Sequence, residues 1–342
     1  MTEPSIVVPP EWAPQSAIWT AWPADASEWN GDLATPRADV TALVATLSEA
    51  GNTVRLLVNG DEAAKSALDA VGSAAELVSA KYGDIWLRDT GPIFAFRGGK
   101  RIALRFQTNS WGGKYDLPDD STVGDRVAEM AGAEIVRFDF VLEGGAMDHD
   151  GEGTVLATRQ TLLNPNRNGW TTEQAEAALK GFGTKTVIWV DEGLLGDHTD
   201  GHIDNIARFV APGRVVCQAA AGDDDPNAAI LDAIAARLAD ATDAAGRRLE
   251  VIRIPGVGRY RNALGEVSPA SHMNFIIGNG VVVVPVYGTP TQDAALAALS
   301  EVFPDRKVLG VPSRGLLGCG EAGGGSFHCI TQQEPRDLEP EA

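Results

Sequence analysis

Short apolar runs alternate with longer helical segments along nearly the whole chain. Nine runs rich in Val, Ile or Leu are predicted as strands: Thr53–Val58, Arg101–Gln107, Glu134–Phe140, Thr154–Thr158, Lys185–Val190, Arg214–Cys217, Leu249–Ile254, Val281–Val286 and Lys307–Val311. Six segments are predicted as helices: Pro36–Ala50, Asp61–Val71, Val123–Ala131, Thr171–Lys180, Pro226–Ala241 and Thr291–Val302. Several of these begin with Asp, Thr or Pro, which favour helix starts. The alternation predicts an α/β fold.

The chain shows no internal division. No long Ser- or Gly-rich linker interrupts the alternation, so residues 1–333 are predicted to form one domain. The final segment, 334–342, is rich in Pro and Glu and is predicted to lack regular structure.

Composition and charge narrow the class of protein. Hydrophobic residues make up 44% and charged residues 22% of 342 residues, as in a compact enzyme. With 28 Lys and Arg against 47 Asp and Glu, the net charge is −19. That charge disfavours nucleic acid and anionic membranes as partners and favours a cationic substrate. The first residues lack a basic region followed by an apolar one, and no apolar run approaches ~20 residues, so a cytoplasmic location is expected. Association into a homo-oligomer remains open.

Polar residues cluster in glycine-rich connecting segments at informative intervals. Asp89 and Glu143 are 54 residues apart, Glu143 and His202 are 59 apart, and His202 and Cys329 are 127 apart, about twice that spacing. A repeated α/β unit, each copy contributing one polar loop to a shared centre, would produce this pattern.

The three cysteines are too few and too scattered for a disulfide framework or a four-cysteine metal site. Cys329 follows three glycines and a histidine, a context that suits an activated thiol on a tight loop. A buried, inert cysteine is the competing interpretation. Cys217 ends an apolar run and is predicted to be core, while Cys319 is a weaker candidate nucleophile.

His202 and Asp204 are two residues apart in Gly-His-Ile-Asp, a spacing that in an extended segment places both side chains on one face. The alternative is a surface histidine beside a solvated carboxylate. A metal set of His198, His202 and Asp204 also fits the ligand types, although the zinc-peptidase helix motif is absent. Taken alone, Asp89 and Glu143 are ordinary loop carboxylates.

Six ordered motifs together carry a family resemblance. They are Pro9-Pro-Glu-Trp…Trp19-Thr-Ala-Trp-Pro23, Trp86-Leu-Arg-Asp-Thr-Gly-Pro92, Glu143-Gly-Gly145, Leu162-Leu-Asn-Pro-Asn-Arg-Asn168, Thr199-Asp-Gly-His-Ile-Asp204 and His328-Cys-Ile-Thr-Gln-Gln333, with Asn279-Gly…Pro285 between the last two. Over nearly its whole length the chain resembles the agmatine deiminase family of the guanidine-modifying superfamily.

The resemblance implies a pentein-type fold, a single-domain α/β propeller with fivefold pseudosymmetry, and an enzyme that hydrolyses agmatine to N-carbamoylputrescine and ammonia within putrescine biosynthesis. It implies Cys329 as the nucleophile and His202 as the proton-transfer residue. Glu143 would orient His202. Asp89 and Asp204 would bind the guanidinium, and Trp86 and Trp111 would wall the pocket. No metal and no organic cofactor are implied.

One position departs from the resemblance. Residue 198 is His where relatives commonly carry an acidic residue. A lost carboxylate at the pocket rim would weaken recognition of the distal ammonium of agmatine, so a deiminase of peptidyl-arginine or another arginine-like guanidine is the alternative. A metal-dependent hydrolase that uses His198, His202 and Asp204 is a further one.

Overall fold

A computed structural model describes residues 4–262, 265–318 and 324–338 of the chain. Its strands are β1 Ile6–Val7, β2 Gln15–Ala21, β3 Val54–Val58, β4 Glu76–Ser79, β5 Ile93–Arg97, β6 Lys100–Gln107, β7 Glu134–Val141, β8 Met147–His149, β9 Thr154–Thr158, β10 Thr186–Val190, β11 Ala207–Ala211, β12 Arg214–Ala219, β13 Glu250–Pro255, β14 Ile276–Gly278, β15 Val281–Val286, β16 Lys307–Pro312 and β17 Gln332–Pro335. Its α-helices are α1 Ala34–Glu49, α2 Asp61–Val71, α3 Leu87–Thr90, α4 Ser110–Gly113, α5 Asp120–Met130, α6 Arg159–Leu162, α7 Thr172–Lys180, α8 Ala228–Ala239 and α9 Gln292–Val302. Within the described ranges no helix is long and apolar enough to cross a membrane.

One connectivity recurs in the five sheets of the described chain. In each sheet two antiparallel strands are followed by a parallel strand: β5-β6-β7, β8-β9-β10, β11-β12-β13, β14-β15-β16 and β17-β2-β3. Helical segments occupy the connection between the second and the third strand of each unit, as a parallel pair requires. β1 and β4 extend two of the sheets. The predicted α/β fold is confirmed, and the five equivalent units agree with the expected fivefold pseudosymmetry.

Apolar faces of the helices and sheets build the core. In α9 the buried residues are Ala295, Leu299 and Val302, a four- and three-residue spacing that forms one stripe, and the helix packs on β13 and β16. All six residues of β15, the central strand of its sheet, are buried. Burying a side chain such as Leu299 contributes about 1.5–3 kcal/mol.

The nine predicted strands and six predicted helices are present, with ends that shift by three residues or fewer. The start of α7 shows why one helix boundary could be predicted from the sequence. The Thr171 side chain accepts a hydrogen bond from the Gln174 amide, while the Gln174 side chain accepts one from the Thr171 amide.

The prediction of an irregular segment after residue 333 is wrong for Glu334 and Pro335, which belong to β17 and pair with β2. Glu334 is buried, accepts a hydrogen bond from the Trp19 indole at 2.9 Å, and forms ion pairs with Arg55 at 2.5 Å and Arg101 at 2.8 Å. The ion pairs of the buried Glu334 carboxylate hold residues 334 and 335 in place. Composition alone shows only that this stretch is polar. Residues 336–338 have no regular structure, and 339–342 lie outside the described residues.

Candidate active site

Each of the five repeated units places one polar residue just before its first strand. Asp89 precedes β5, Glu143 precedes β8, Asp204 precedes β11, Asn274 precedes β14 and Cys329 precedes β17, in every case by two to four residues. The prediction that repeated units each contribute a polar loop to one centre is supported by this placement. Four of the five residues were predicted from the sequence.

A glycine lies where three of the predicted site residues meet. A Cβ atom built on Gly145 would lie 2.6 Å from His202 Nδ1 and 3.0 Å from both Asp204 Oδ2 and Asp89 Oδ1. Real Cβ atoms essentially never approach other atoms that closely. Any larger residue at 145 would therefore push these side chains apart, which explains the second glycine of the Glu143-Gly-Gly motif.

Cys329 is 2% exposed and forms hydrogen bonds with Asn274. The Asn274 side-chain nitrogen, Nδ2, donates to Cys329 Sγ at 3.0 Å. Its side-chain oxygen, Oδ1, accepts from the backbone amides of Cys329 and Ser326. The thiol itself donates to Asp204 Oδ2 at 3.4 Å. Burial raises the pKa of Cys329 well above its usual value, and the carboxylates of Asp204 and Asp89 raise it further. The thiol is therefore protonated at neutral pH in the ligand-free site.

Asp89 lies on the single helical turn of α3 and is buried. Its Oδ1 accepts from the Gly145 amide and its Oδ2 from the Trp111 indole, both at 2.9 Å. Burial raises the pKa of this carboxyl well above its ordinary value, and the nearby charges of Asp204 and Glu143 act in the same direction.

Asp204 carries its charge more readily, because cationic groups surround it. Its Oδ2 accepts from His328 Nδ1 at 2.7 Å. Burial alone would raise the pKa of Asp204, but this hydrogen bond from His328 and the electrostatic attraction of the surrounding groups, Arg208 among them, bring it below its ordinary value. Its other oxygen, Oδ1, is buried and forms no hydrogen bond with the protein.

His202 does not lie in an extended segment, the geometry that would have placed its side chain and that of Asp204 on one face of a strand. It begins a single 3-10 turn, Ile203–Asn205, closed by hydrogen bonds from the Asn205 amide to the His202 carbonyl and from the Ile206 amide to the Ile203 carbonyl. Ile203 enters the core while the His202 ring, fully buried, lies with Nδ1 3.8 Å from Asp89 Oδ2. The side chains of His202 and Asp204 therefore share one site because the chain turns here, and not because they lie on one face of a strand.

Neither ring nitrogen of His202 forms a hydrogen bond with the protein, and burial lowers its pKa to about 3. Glu143 was expected to hydrogen-bond to this ring. Instead its Oε1 accepts from Arg167 Nε at 2.6 Å, while its Oε2 is buried without a partner. Burial raises the pKa of Glu143, and Arg167 opposes that shift. Four buried polar atoms of this site, Glu143 Oε2, both ring nitrogens of His202 and Asp204 Oδ1, thus have no hydrogen-bond partner among the described residues, as expected where a ligand supplies the missing bonds.

Aromatic and small side chains line the pocket that leads to Cys329. Its described lining residues are Asp84, Trp86, Asp89, Trp111, Tyr115, Leu117, His198, Thr199, Gly324, Gly325 and Cys329. Trp86 and Trp111, the two aromatic residues expected to wall the pocket, are both among these lining residues. His198 also lines the pocket, and its Nδ1 is 3.0 Å from the Tyr115 hydroxyl.

The hypothesised metal set does not form. Among the residues that the structure describes, no three His, Cys, Asp or Glu side chains are arranged to hold a metal ion. His198 contacts Tyr115, whereas Asp204 is bonded to His328.

The remaining cysteines lie apart from the pocket or outside the structure's description. Cys217 lies in the core of β12, where burial raises its pKa to about 11. Cys319, the other candidate nucleophile, falls outside the described residues.

Sequence reasoning missed residues that support the site from behind. Arg167 joins Glu143 to Asp200, with 2.8 Å between Arg167 Nη1 and Asp200 Oδ2, and Asp200 is not among the described residues that line the pocket. His328 connects Asp204 with Glu11, whose Oε2 lies 3.3 Å from His328 Nε2. One sequence signal pointed to Asn274: the interval of 127 residues between His202 and Cys329 is about twice the other intervals and leaves room for one further site residue. Arg167 belongs to the motif Leu162–Asn168, but no sequence pattern indicated that it would pair with Glu143.

Comparisons with known proteins agree with this geometry. The profile of the Porphyromonas-type peptidyl-arginine deiminase family matches residues 7–335. The agmatine deiminase of Stutzerimonas stutzeri is 37% identical, with 96% of this chain and 95% of that protein covered, and that of Ectopseudomonas mendocina is 36% identical over the same shares.

Solved structures are similar over the same extent. A structure of Enterococcus faecalis agmatine deiminase catalysing its reaction has a TM-score of 0.91 and 29% identity, covering 98% of this chain and 97% of that one. A C. jejuni agmatine deiminase variant with substrate bound has a TM-score of 0.88 and 28% identity, over the same shares. The chain therefore belongs to the Porphyromonas-type peptidyl-arginine deiminase family.

Proposed function

We propose that this protein is an agmatine deiminase, which hydrolyses agmatine to N-carbamoylputrescine and ammonia through a covalent intermediate on Cys329. The observation that carries the proposal is the convergence of Cys329, His202, Asp89 and Asp204 around Gly145 and Gly325. Each of the five sheets supplies one residue to the site, so they act as one catalytic domain. A reactive thiol of this kind stays reduced in the cytoplasm, where we place the enzyme.

Binding follows from the charges. The buried carboxyl groups of Asp89 and Asp204 flank the thiol, and Asp204 Oδ1 retains its full capacity to accept hydrogen bonds. A planar guanidinium supplies several N–H donors and one positive charge, and charge-assisted bonds to two carboxylates fix its orientation. The same positive charge offsets the carboxylates that raise the pKa of Cys329, so binding favours the thiolate.

The chemistry requires one proton carrier beside the nucleophile. Neutral His202 takes the proton from the Cys329 thiol, and the thiolate attacks the guanidinium carbon to form a tetrahedral adduct. His202 returns that proton to the departing nitrogen, which leaves as ammonia and gives an amidino-thioether. His202 then removes a proton from water, whose oxygen adds to the same carbon. Collapse releases the ureido product, and the thiol regains its proton.

Asn274 and Glu143 position these groups. The Asn274 side chain donates to Cys329 Sγ and so stabilises negative charge on sulfur. Glu143 is fixed by Arg167, and its partnerless Oε2 is the atom that we assign to hold the His202 ring during proton transfer.

Ammonia release measured with agmatine, arginine and arginyl peptides tests the proposal. Agmatine should give the highest kcat/KM, with one ureido product per ammonia. Intact-protein mass spectrometry of His202→Gln with agmatine should show an amidino adduct that is lost in Cys329→Ser/His202→Gln. Release from arginyl peptides alone would assign the enzyme to the other substrate class, and no release from any guanidine would refute a deiminase.

A further inference from the structure

Asp84 is a buried carboxylate that lines the pocket and that the reaction does not use. Its side chain is 4% exposed. Asp84 Oδ2 accepts from the Trp86 indole at 2.7 Å, and Oδ1 accepts from the Trp29 indole at 3.2 Å. A carboxylate offers about four acceptor positions, so both oxygens retain the capacity to bind a further donor.

The Trp86 ring connects Asp84 with the nucleophile. Its pyrrole N–H end is bonded to Asp84, while Cζ3, on the benzene side, lies next to Gly325: a Cβ built on Gly325 would be 2.6 Å from Cζ3 and 3.0 Å from Cys329 Sγ. The indole therefore extends from the reaction centre to Asp84. An alkyl chain that starts at a guanidinium beside Cys329 and follows this apolar wall would run toward Asp84.

The electrostatics at that end favour a cation. The described residues that line the pocket include the carboxyl groups of Asp84 and Asp89 and no Lys or Arg. Burial raises the pKa of Asp84 to about 7, and the charges of Asp120 and Glu28 add to the shift. The described pocket walls provide no cationic counterion for Asp84, and a ligand ammonium would supply one. An ion pair inside a buried site contributes more binding free energy than one at a solvated rim.

We propose that Asp84 recognises a terminal ammonium on the substrate and so selects ω-aminoalkyl guanidines over alkyl guanidines. This inference rests on the proposed deiminase function and identifies the part of the site that chooses among guanidines. It also bears on residue 198, a His that lines the same pocket: the carboxylate available to a distal ammonium there would come from Asp84, on another segment of the chain.

Two substrates and one variant test the inference. Agmatine and n-butylguanidine carry the same four-carbon chain and differ in the terminal ammonium. Asp84→Asn should lower kcat/KM for agmatine by roughly 10- to 100-fold, the value of a hydrogen bond to a charged group, with a change below about threefold for butylguanidine. A parallel loss on both substrates would mean that Asp84 only holds Trp86 in place and would overturn the proposal, as would an unchanged agmatine reaction.

Asp120→Asn is the matched control. Asp120 is another buried acid, with a pKa raised to about 6, and it accepts from the Gly83 and Asp84 amides without lining the pocket. It should not change the ratio of the two substrates. A change as large as that in Asp84→Asn would attribute selectivity to the general acidic field and contradict a specific contact.

A wild-type series keeps the inference falsifiable if Asp84→Asn does not fold. Aminopropyl-, aminobutyl- and aminopentylguanidine, each compared with the alkylguanidine of equal chain length, should show the largest ammonium effect at one length. An ammonium effect that is absent or equal at all lengths refutes a subsite at Asp84, while ammonia release from these guanidines would still support a deiminase. No release from any of them would instead refute the proposed function itself.

Discussion

Asp204→Asn should lower both activity and stability, whereas Asp89→Asn should lower activity with a smaller effect on stability. Both carboxylates flank the thiol, and each variant loses a charged partner for the guanidinium, which typically costs about 2–5 kcal/mol, or roughly thirtyfold to several thousandfold in kcat/KM. Their surroundings differ. Asp204 is bonded to His328 near Arg208, and its pKa is lowered; the pKa of Asp89 is raised by burial and by neighbouring carboxylates.

The sign of each stability effect follows from those shifts. The folded pKa of Asp204 lies below its unfolded value, so its ionised form stabilises the fold above the unfolded pKa, and this contribution is lost as pH falls through the folded pKa. At neutral pH the amide in Asp204→Asn still accepts a hydrogen bond but leaves buried positive charge less compensated, a loss of about 3 kcal/mol. For Asp89 the folded pKa is raised, so stability falls as pH rises from the unfolded pKa to the folded pKa. Asp89→Asn removes the cost of ionising this buried carboxyl group. It also weakens the hydrogen bond from Trp111, which lowers the free energy of unfolding by about 1–3 kcal/mol.

Denaturant and thermal unfolding at pH 7 measure the difference. With ~2.1 cal/mol/K per residue over 342 residues, about 3 kcal/mol corresponds to a fall of roughly 4 °C in Tm for Asp204→Asn. Asp89→Asn should lose less, and its disadvantage relative to wild type should shrink further as pH rises toward the folded pKa of Asp89. Equal losses, or a larger loss in Asp89→Asn, would refute the assignment of Asp204 as the charge-paired carboxylate.

Three further substitutions test separate parts of the site. Cys329→Ser should fold and lose turnover, because a hydroxyl is a far weaker nucleophile, while Cys217→Ser in the core of β12 should remain active; ammonia release by Cys329→Ser would exclude the covalent route. His202→Ala should be inactive because every proton transfer assigned to the reaction up to the attack of water passes through that ring, and wild-type rates in it would remove His202 from the reaction. Trp111→Phe deletes an N–H donor to Asp89 and should lower kcat/KM by roughly tenfold through misplacement of the carboxylate, with circular dichroism as the check on folding; an unchanged kcat/KM would show that the bond is dispensable.

The sequence predicted nine strands that carry apolar runs and missed all five strands that begin the repeated units, together with β1, β2 and β4. β5, β8, β11 and β14 begin four of the repeated units, yet each has only three to five residues. So short a stretch offers few positions for a two-residue periodicity, and tertiary pairing with the next strand decides its structure. These strands matter most for function, since the loops before them carry the site residues.

The chemistry was more predictable than its supports. Cys329, His202, Asp89 and Asp204 each have ordinary structural roles when taken alone, but the ordered motifs that contain them carry the family resemblance. Asn274 bears no comparable mark, although it fills the doubled interval: it lies 70 residues after Asp204 and 55 before Cys329. The contacts between Arg167 and Glu143, or between His328 and Asp204, join distant loops, and no local pattern specifies such a pair.

The composition of the site limits the class of ligand that it can bind. Asp89 and Glu143 have raised pKa values, and Asp84 at the far end of the pocket is raised to about 7, all chiefly because burial penalises their charged forms. An anionic ligand would increase that penalty, and a neutral ligand would leave it in place, whereas a cation with several N–H donors reduces it at each carboxylate that it contacts. The thiol gains from the same event, since the carboxylates that raise its pKa are then neutralised. Selectivity for cations and activation of Cys329 are therefore two consequences of one arrangement of buried acids, and a variant that weakens the first should also slow the second.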